Sequence, residues 1–270
     1  MEFFDSHSHY NDEQFDIDRE KIIEDTYNDG ITRFICAGYD LESSKFSIEI
    51  AKKYNFIYSI CGISPNDVPD NKDKIDEQLQ QLEQMIKQDI CMKENSNNTD
   101  NKKIVAIGEI GLDYHWNKEN KDIQKEMFIK QIKLANKYNL PIVIHTREAV
   151  DDTLKILREN DVINRGVFHC CPLNRELVKQ GLELGFYISF AGPITFKNSK
   201  NAEEIVNMVP LDKILIETDS PYLAPEPKRG TRNDSKNVKH VAQKIAEFKN
   251  TSIEEVAKQT YINANNIFKI

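Results

Sequence analysis

A (β/α)8 TIM barrel is the fold class this 270-residue sequence predicts, on three observations. Eight short apolar runs recur along the chain, alternating with polar stretches of helical pattern. Strands covered on both faces read as continuous hydrophobics, and parallel neighbours need crossover helices. Several of the runs close on histidine or a carboxylate, at the strand ends where barrel enzymes keep their sites. The length suits one domain spanning 1–270. An open doubly wound sheet is the alternative, but no Gly-x-Gly-x-x-Gly turn or phosphate-binding loop follows any run.

The first run, Phe3-Phe4, leads into Asp5-Ser6-His7-Ser8-His9, and a helical stretch from Asp18 to Asp29 stops at Gly30. Arg33 to Gly38 forms the second, followed by a helical pattern from Leu41 to Tyr54 with Phe46 and Ile50 four residues apart. Phe56 to Ile63 is the third, and it gives way to Ser64-Pro65-Asn66. Ile75, Leu79, Leu82, Ile86 and Ile90 then mark one face of a longer helix. The polar tract that follows cannot contribute to a core, so a mobile surface insertion without chemical role is expected around 93–103.

Ile104 to Ile107, the fourth run, enters Gly108-Glu109-Ile110-Gly111-Leu112-Asp113-Tyr114, and a helix from Glu119 to Tyr138 turns Ile123, Met127 and Ile132 inward. Pro141 to Ile144 ends in His145-Thr146-Arg147, with a helix from Glu148 to Arg158 behind it. Gly166 to Phe168 reaches His169 and a helix near Arg175 to Leu184. Gly185 to Phe190 ends in Ala191-Gly192-Pro193, and Ile214 to Ile216 in Glu217-Thr218-Asp219-Ser220-Pro221.

No run of about 18 apolar residues is present to span a bilayer, and the start of the chain has no basic region with an apolar signal core. The expectation is a soluble protein of the cytoplasm, or of the nucleus in a eukaryote, with no membrane and no obligate protein partner. Five scattered cysteines without a Cys-x-x-Cys pair read as buried thiols, Cys170 and Cys171 included. A net charge of −8 argues against a broad, sequence-independent grip on nucleic acid, though not against a local basic patch.

His7 and His9, two apart on a strand, project to one side and can grip one metal ion. Together with Glu109, His145, His169 and Asp219 they close five of the runs. Each has a bland explanation alone, a hydrogen-bonding histidine or an N-capping aspartate. Convergence of all six on one rim favours a metal site.

These residues and their surroundings resemble the TatD family of metal-dependent deoxyribonucleases, within the amidohydrolase-like barrel superfamily. The likeness runs through Asp5 to His9, Gly108 to Tyr114, Pro141 to Arg147, Phe168 to Cys170, Gly185 to Phe190 with Thr195 to Lys197, and Glu217 to Leu223. It continues over Pro227 to Asn233 and the stretch through Asn263, Ala264 and Phe268. The resemblance implies two divalent metal ions, with His7 and His9 on one, His145 and His169 on the other, and Glu109 between them. Asp219 would complete the first site and accept a proton from the attacking water. Imidazole and carboxylate ligands admit Zn, Mn or Mg.

The family usually has two histidines where this chain has Ser64 and Asn66, a position expected to face substrate. The implied substrate is DNA, at ends or as single strands, cut by a 3′-5′ exonuclease. Two alternatives stand beside it: a small-molecule amidohydrolase or esterase, or an aminoacyl-tRNA deacylase, since a metal pair also polarises carbonyls, and a metal-binding scaffold that has lost turnover. Substrate contacts are expected from Arg147, Trp116, Arg229 and Arg232. The last two belong to a stretch, 228–240, with five basic residues against Asp234. Trp116 reads equally as a base-stacking or a packing residue, and Phe190 rather as packing.

Overall fold

The computed structural model describes residues 1–94, 102–116 and 118–270, so most of the expected insertion lies outside the described residues. Eight strands follow one another through a single sheet in chain order: β1 (Phe3–Ser8), β2 (Ile31–Ala37), β3 (Ile57–Cys61), β4 (Ile104–Asp113), β5 (Ile142–Arg147), β6 (Gly166–Phe168), β7 (Tyr187–Phe190) and β8 (Ile214–Ile216). The β3–β4, β4–β5, β6–β7 and β7–β8 pairings are parallel. Helices follow the strands in turn: α1 (Arg19–Asn28), α2 (Leu41–Lys53), α3 (Asp73–Glu94), α4 (Lys121–Lys137), α5 (Val150–Glu159), α6 (Arg175–Glu183), α7 (Ala202–Met208) and α8 (Val238–Lys249), with α9 (Ile253–Phe268) after them. This is the (β/α)8 order expected from the sequence. The chain divides into two compact units, 1–35 with 167–270, and 36–166.

In the first unit β1 is buried along its whole length. Phe4 packs against Tyr261 and Phe268 of α9, with ring centroids 5.8 and 6.3 Å apart. The stretch after β8 lies alongside β1: Ser8 and Ser220 form a parallel bridge, His9 N donates to Ser220 O (2.6 Å), and Asp219 N donates to His7 O (2.9 Å). Asp5 reinforces this seam, accepting from Thr218 N at 2.9 Å and Thr218 Oγ1 at 2.5 Å. Burial drives the Asp5 carboxyl up to about 7, against the opposing pull of bonds from Ser235, Thr218 and His7. Ile188, Ile214, Leu215, Val241 and Ile245 are fully buried, each such side chain contributing about 1.5–3 kcal/mol of hydrophobic stabilisation.

In the second unit β4 is the central strand and its ten residues are all buried. The sequence breaks the apolar run at Gly108-Glu109, yet the strand continues to Asp113. Its register against β5 shifts between Ile107 and Ile110, a bulge that returns Ile110 and Leu112 to the core. Gly111 has φ +139°, and a Cβ there would overlap His145 O, so this crossing of β4 and β5 admits only glycine. Helix α2 starts on a reciprocal cap, with Ser43 N donating to Asp40 Oδ1 (2.7 Å) and Asp40 N donating to Ser43 Oγ (2.9 Å). Ile75 of α3 and Met127 of α4 pack with Ile63 and Val68. Lys103, at the edge of the expected insertion, is buried: its Nζ donates to Tyr54 O (2.9 Å) and Ile57 O (3.2 Å). Among the described residues no helix is long and apolar enough to cross a membrane.

Candidate metal centre

Four of the six nominated ligands lie in the first unit. His7 and His9 sit at the end of β1 with their Nε2 atoms 3.2 Å apart, as the two-residue strand repeat requires. His169 follows β6, and its ring stacks on that of His7 at 4.1 Å. Asp219 follows β8, held by its backbone bond to His7 at φ +56°. Its Oδ1 lies 3.3 Å from His9 Nε2 and 3.7 Å from His7 Nε2. Burial would raise the Asp219 carboxyl, but His9, His169 and His7 together hold it down to about 2. One ligand atom each from His7, His169 and Asp219 falls within 4.8 Å of the others. Two imidazoles and an ionised carboxylate at this spacing fit a divalent cation with nitrogen and oxygen preference.

Glu217, fully buried, accepts from Cys170 N at 2.6 Å and lies 3.4 Å from His169 Nδ1. At 3.4 Å Glu217 sets a carboxylate beside the His169 ring without hydrogen-bonding its Nδ1. Sequence reading passed over Glu217; the available signal was an acidic residue that directly closes the apolar run Ile214–Ile216, two before Asp219. Cys171 is buried and Cys170 half-buried, and neither belongs to the ligand group in this unit.

The second unit brings Glu109 and His145 together, with Glu109 Oε1 2.9 Å from His145 Nδ1. His145 Nε2 meets Asp113 Oδ2 at 3.0 Å. Asp113 also accepts from His115 N (2.8 Å), Trp116 N (3.3 Å) and Asn66 Nδ2 (3.2 Å). Burial raises its carboxyl, but these donors, His145 foremost, bring it down to about 2. With Nε2 donating to an anionic Asp113, Nδ1, beside Glu109, is the nitrogen that His145 could offer a metal. Asp113 is thus a positioning residue that sequence reading missed, although it closes the same strand as Glu109. Ser64 and Asn66, standing where the family has histidines, turn to their own unit: Ser64 Oγ donates to Asp67 Oδ2 (2.5 Å) and Asn66 reaches Asp113.

Of the expected substrate contacts, Trp116 is 70% exposed, which rules out core packing for it. The exposed Arg147 lays its guanidinium over the Trp116 ring at 5.4 Å. Tyr114 and Phe190 are buried, the Tyr114 hydroxyl donating to Asp152 Oδ2 at 2.7 Å. The basic stretch separates into two kinds of residue. Arg232 grips Asp18 through both guanidinium arms, at 2.9 and 2.6 Å, and also donates to Gln14 O (2.5 Å). Its fork is therefore engaged within the unit, which gives Arg232 a structural role as a strap between its own stretch and Asp18. Lys236 pairs with Asp234 and Lys239 with Asp29. Among the described residues Arg229 has no carboxylate partner; its guanidinium stacks on Phe196 at 4.2 Å.

A family model described as TatD related DNase matches residues 4–269. An uncharacterized metal-dependent hydrolase of Bacillus subtilis (strain 168), YabD, is 42% identical over 269 residues, covering 99% of each chain. The solved structure of YjjV, a TatD homolog from Escherichia coli K12, superposes with a TM-score of 0.89 at 25% identity, over 99% of this chain and 98% of that one. A hydrolase TatD family protein from Entamoeba histolytica superposes at 0.86 with 22% identity, over 99% of this chain and 98% of its own.

Proposed function

Because this chain belongs to the TatD-related DNase family and is a metal-dependent hydrolase, we propose that it cleaves phosphodiester bonds in DNA, as an exonuclease trimming 3′ ends. The observation that carries the reading is the group formed by His7, His169 and an Asp219 held anionic among imidazoles. Two divalent ions, Zn, Mn or Mg, would be held by His7, His9, Glu109, His145, His169 and Asp219. When bound, such ions lower the pKa of a water and stabilise charge on the attacking and leaving oxygens.

The protein's own part is to place and deprotonate. Asp219 accepts the attacking water's proton on a carboxylate oxygen, for which a group ionised at neutral pH is required. Asp113 fixes the plane of His145, and Glu217 lies beside His169. Arg229 presents hydrogen-bond donors to a phosphate, and Trp116 with Arg147 offers a flat face to a base. DNA is the partner this reading needs, and the cytoplasm the location that suits it.

One observation favours a second reading. Ser64 and Asn66 stand where the family has two imidazoles and are engaged with Asp67 and Asp113, and the loss of those imidazoles suits a different substrate, a small amide, lactone or ester. End-labelled single- and double-stranded DNA, incubated with chelated protein before and after each metal is restored, tests both. Shortening from the 3′ end only with metal supports the nuclease. Intact DNA beside metal-dependent hydrolysis of a lactone, amide or aminoacyl-tRNA panel moves the second reading ahead, and metal binding without turnover of any substrate leaves a scaffold.

A further inference from the structure

Tyr222 stands out in the first unit as an aromatic ring that is rigidly held and yet 48% exposed. Its backbone is clamped on both sides: Tyr222 N donates to Asp219 O (2.9 Å) and Tyr222 O accepts from Asn233 Nδ2 (2.7 Å). Its hydroxyl is pinned as well, donating to Asp12 Oδ2 at 2.5 Å, while Asp12 caps the turn after β1 through Gln14 N (2.8 Å). The ring stands edge-on to His9, with centroids 6.2 Å apart, and His9 Nε2 lies 3.3 Å from Asp219 Oδ1. Leu223 beside it is 38% exposed at φ +52°. Its carbonyl lies where a Cβ on residue 192 would sit, so Gly192 lets this turn pack down.

Packing alone would bury such a ring, and hydrogen bonding alone would need only the hydroxyl. An aromatic ring held by three hydrogen bonds and yet 48% exposed has lost conformational entropy before any ligand arrives, which favours stacking. Resting on the nuclease reading above, we propose that Tyr222 is a specificity-determining residue, whose exposed face, flanked by Leu223, stacks on the base of the nucleotide bearing the scissile phosphate. A substrate phosphate at the His9–Asp219 ligands places that nucleotide's base in reach of the neighbouring ring. Stacking tolerates any base, so the subsite selects for the presence of a base rather than its identity.

The test compares two oligonucleotides, one with a normal terminal nucleotide and one with an abasic tetrahydrofuran in its place, against wild type, Tyr222→Ala and Tyr222→Phe. Steady-state cleavage is measured together with equilibrium binding of fluorescent oligonucleotides carrying an uncleavable methylphosphonate end, and with metal content. Tyr222→Ala is expected to raise KM and Kd for the normal end about 5- to 150-fold, the range for losing one base stack, and to leave the abasic end and the metal content unchanged. Tyr222→Phe keeps the face and loses the Asp12 bond, so it is expected to lower Tm while preserving the preference for a base. Equal loss on both ends in Tyr222→Ala, or loss of the preference in Tyr222→Phe, overturns the stacking role and leaves the nuclease reading standing. If wild type cleaves and binds neither oligonucleotide, the nuclease reading falls and this inference with it.

Discussion

Replacing Asp113 by asparagine removes one acceptor and leaves almost everything else in place, which makes it a sharp probe of how His145 is presented. Oδ1 of Asp113 takes the backbone N–H groups of His115 and Trp116, and Oδ2 takes His145 Nε2 and Asn66 Nδ2. A carboxamide has a single acceptor oxygen, so its NH2 must face one of these two pairs of donors. Facing the backbone amides would orphan two N–H groups at about 1–3 kcal/mol each. Facing His145 is cheaper, because Asn66 is exposed and can turn to water. In that arrangement the imidazole moves its proton to Nδ1, the atom 2.9 Å from Glu109 Oε1, and loses the lone pair a metal needs. Asp113→Asn should therefore weaken metal binding about 10- to 100-fold, roughly 1.4–2.7 kcal/mol, the range for losing a partner of a ligating histidine. Competition against a chromogenic chelator reads the affinity, and nitrogen chemical shifts of the His145 ring read the tautomer. Metal affinity within about twofold of wild type, with Nε2 still protonated, would refute the argument.

Chelated protein should lose stability in acid: a carboxyl held at about 2 when folded, against 3.8 when unfolded, stabilises fully above about pH 4 and loses that contribution as pH falls toward 2. For buried Asp113 this amounts to about 2 kcal/mol, and urea unfolding at pH 7, 4 and 3 should show a shallower fall in Asp113→Asn. Asp219→Asn should keep its fold and lower turnover at least about a hundredfold, as loss of a general base does; near-normal turnover would remove Asp219 from proton transfer. Arg229→Gln should flatten the salt dependence of DNA binding by up to about 0.7 in log-log slope, whereas Arg232→Gln should lower Tm with the slope unchanged; the reverse assignment would undo the division drawn between them. Gly111→Ala should cost at least about 2 kcal/mol in urea unfolding, since its Cβ meets the His145 carbonyl.

The architecture was legible because burial on both faces writes itself into the chain as apolar runs, and Phe3, Ile104, Ile142 and Ile214 each open a strand close to where the runs begin. The histidines and Asp219 were legible because polar groups at strand ends interrupt that pattern. Strand β4 was read too short, since a bulge hides periodicity: Gly108 and Glu109 look like a stop, and only the register shift restores Ile110 and Leu112 to the core. Asp113 and Glu217 were overlooked because a carboxylate's worth there depends on donors that folding brings together, His145 lying 32 residues from Asp113 and Cys170 lying 47 from Glu217. The ion pair of Arg232 was hidden for the same reason. Its partner Asp18 is 214 residues away, and local charge counting cannot see a neutralising acid at that distance.

The seam between β1 and the stretch after β8 also has a temporal side. Asp5 and Thr218 are 213 residues apart in the chain, so during synthesis the first strand leaves the ribosome long before its partner exists. At about 5–20 residues per second the wait is on the order of ten seconds or more. Through that interval Phe3 and Phe4 have no lasting cover, and His7 and His9 lack the neighbouring Asp219. Contacts of such long sequence separation are also the slow ones to form, because loop closure must precede any gain from them. Acquisition of metal by the His7, His169 and Asp219 group is therefore expected late, after the eighth strand has docked, and a chain stalled before residue 218 would be a substrate for chaperones rather than a partial enzyme.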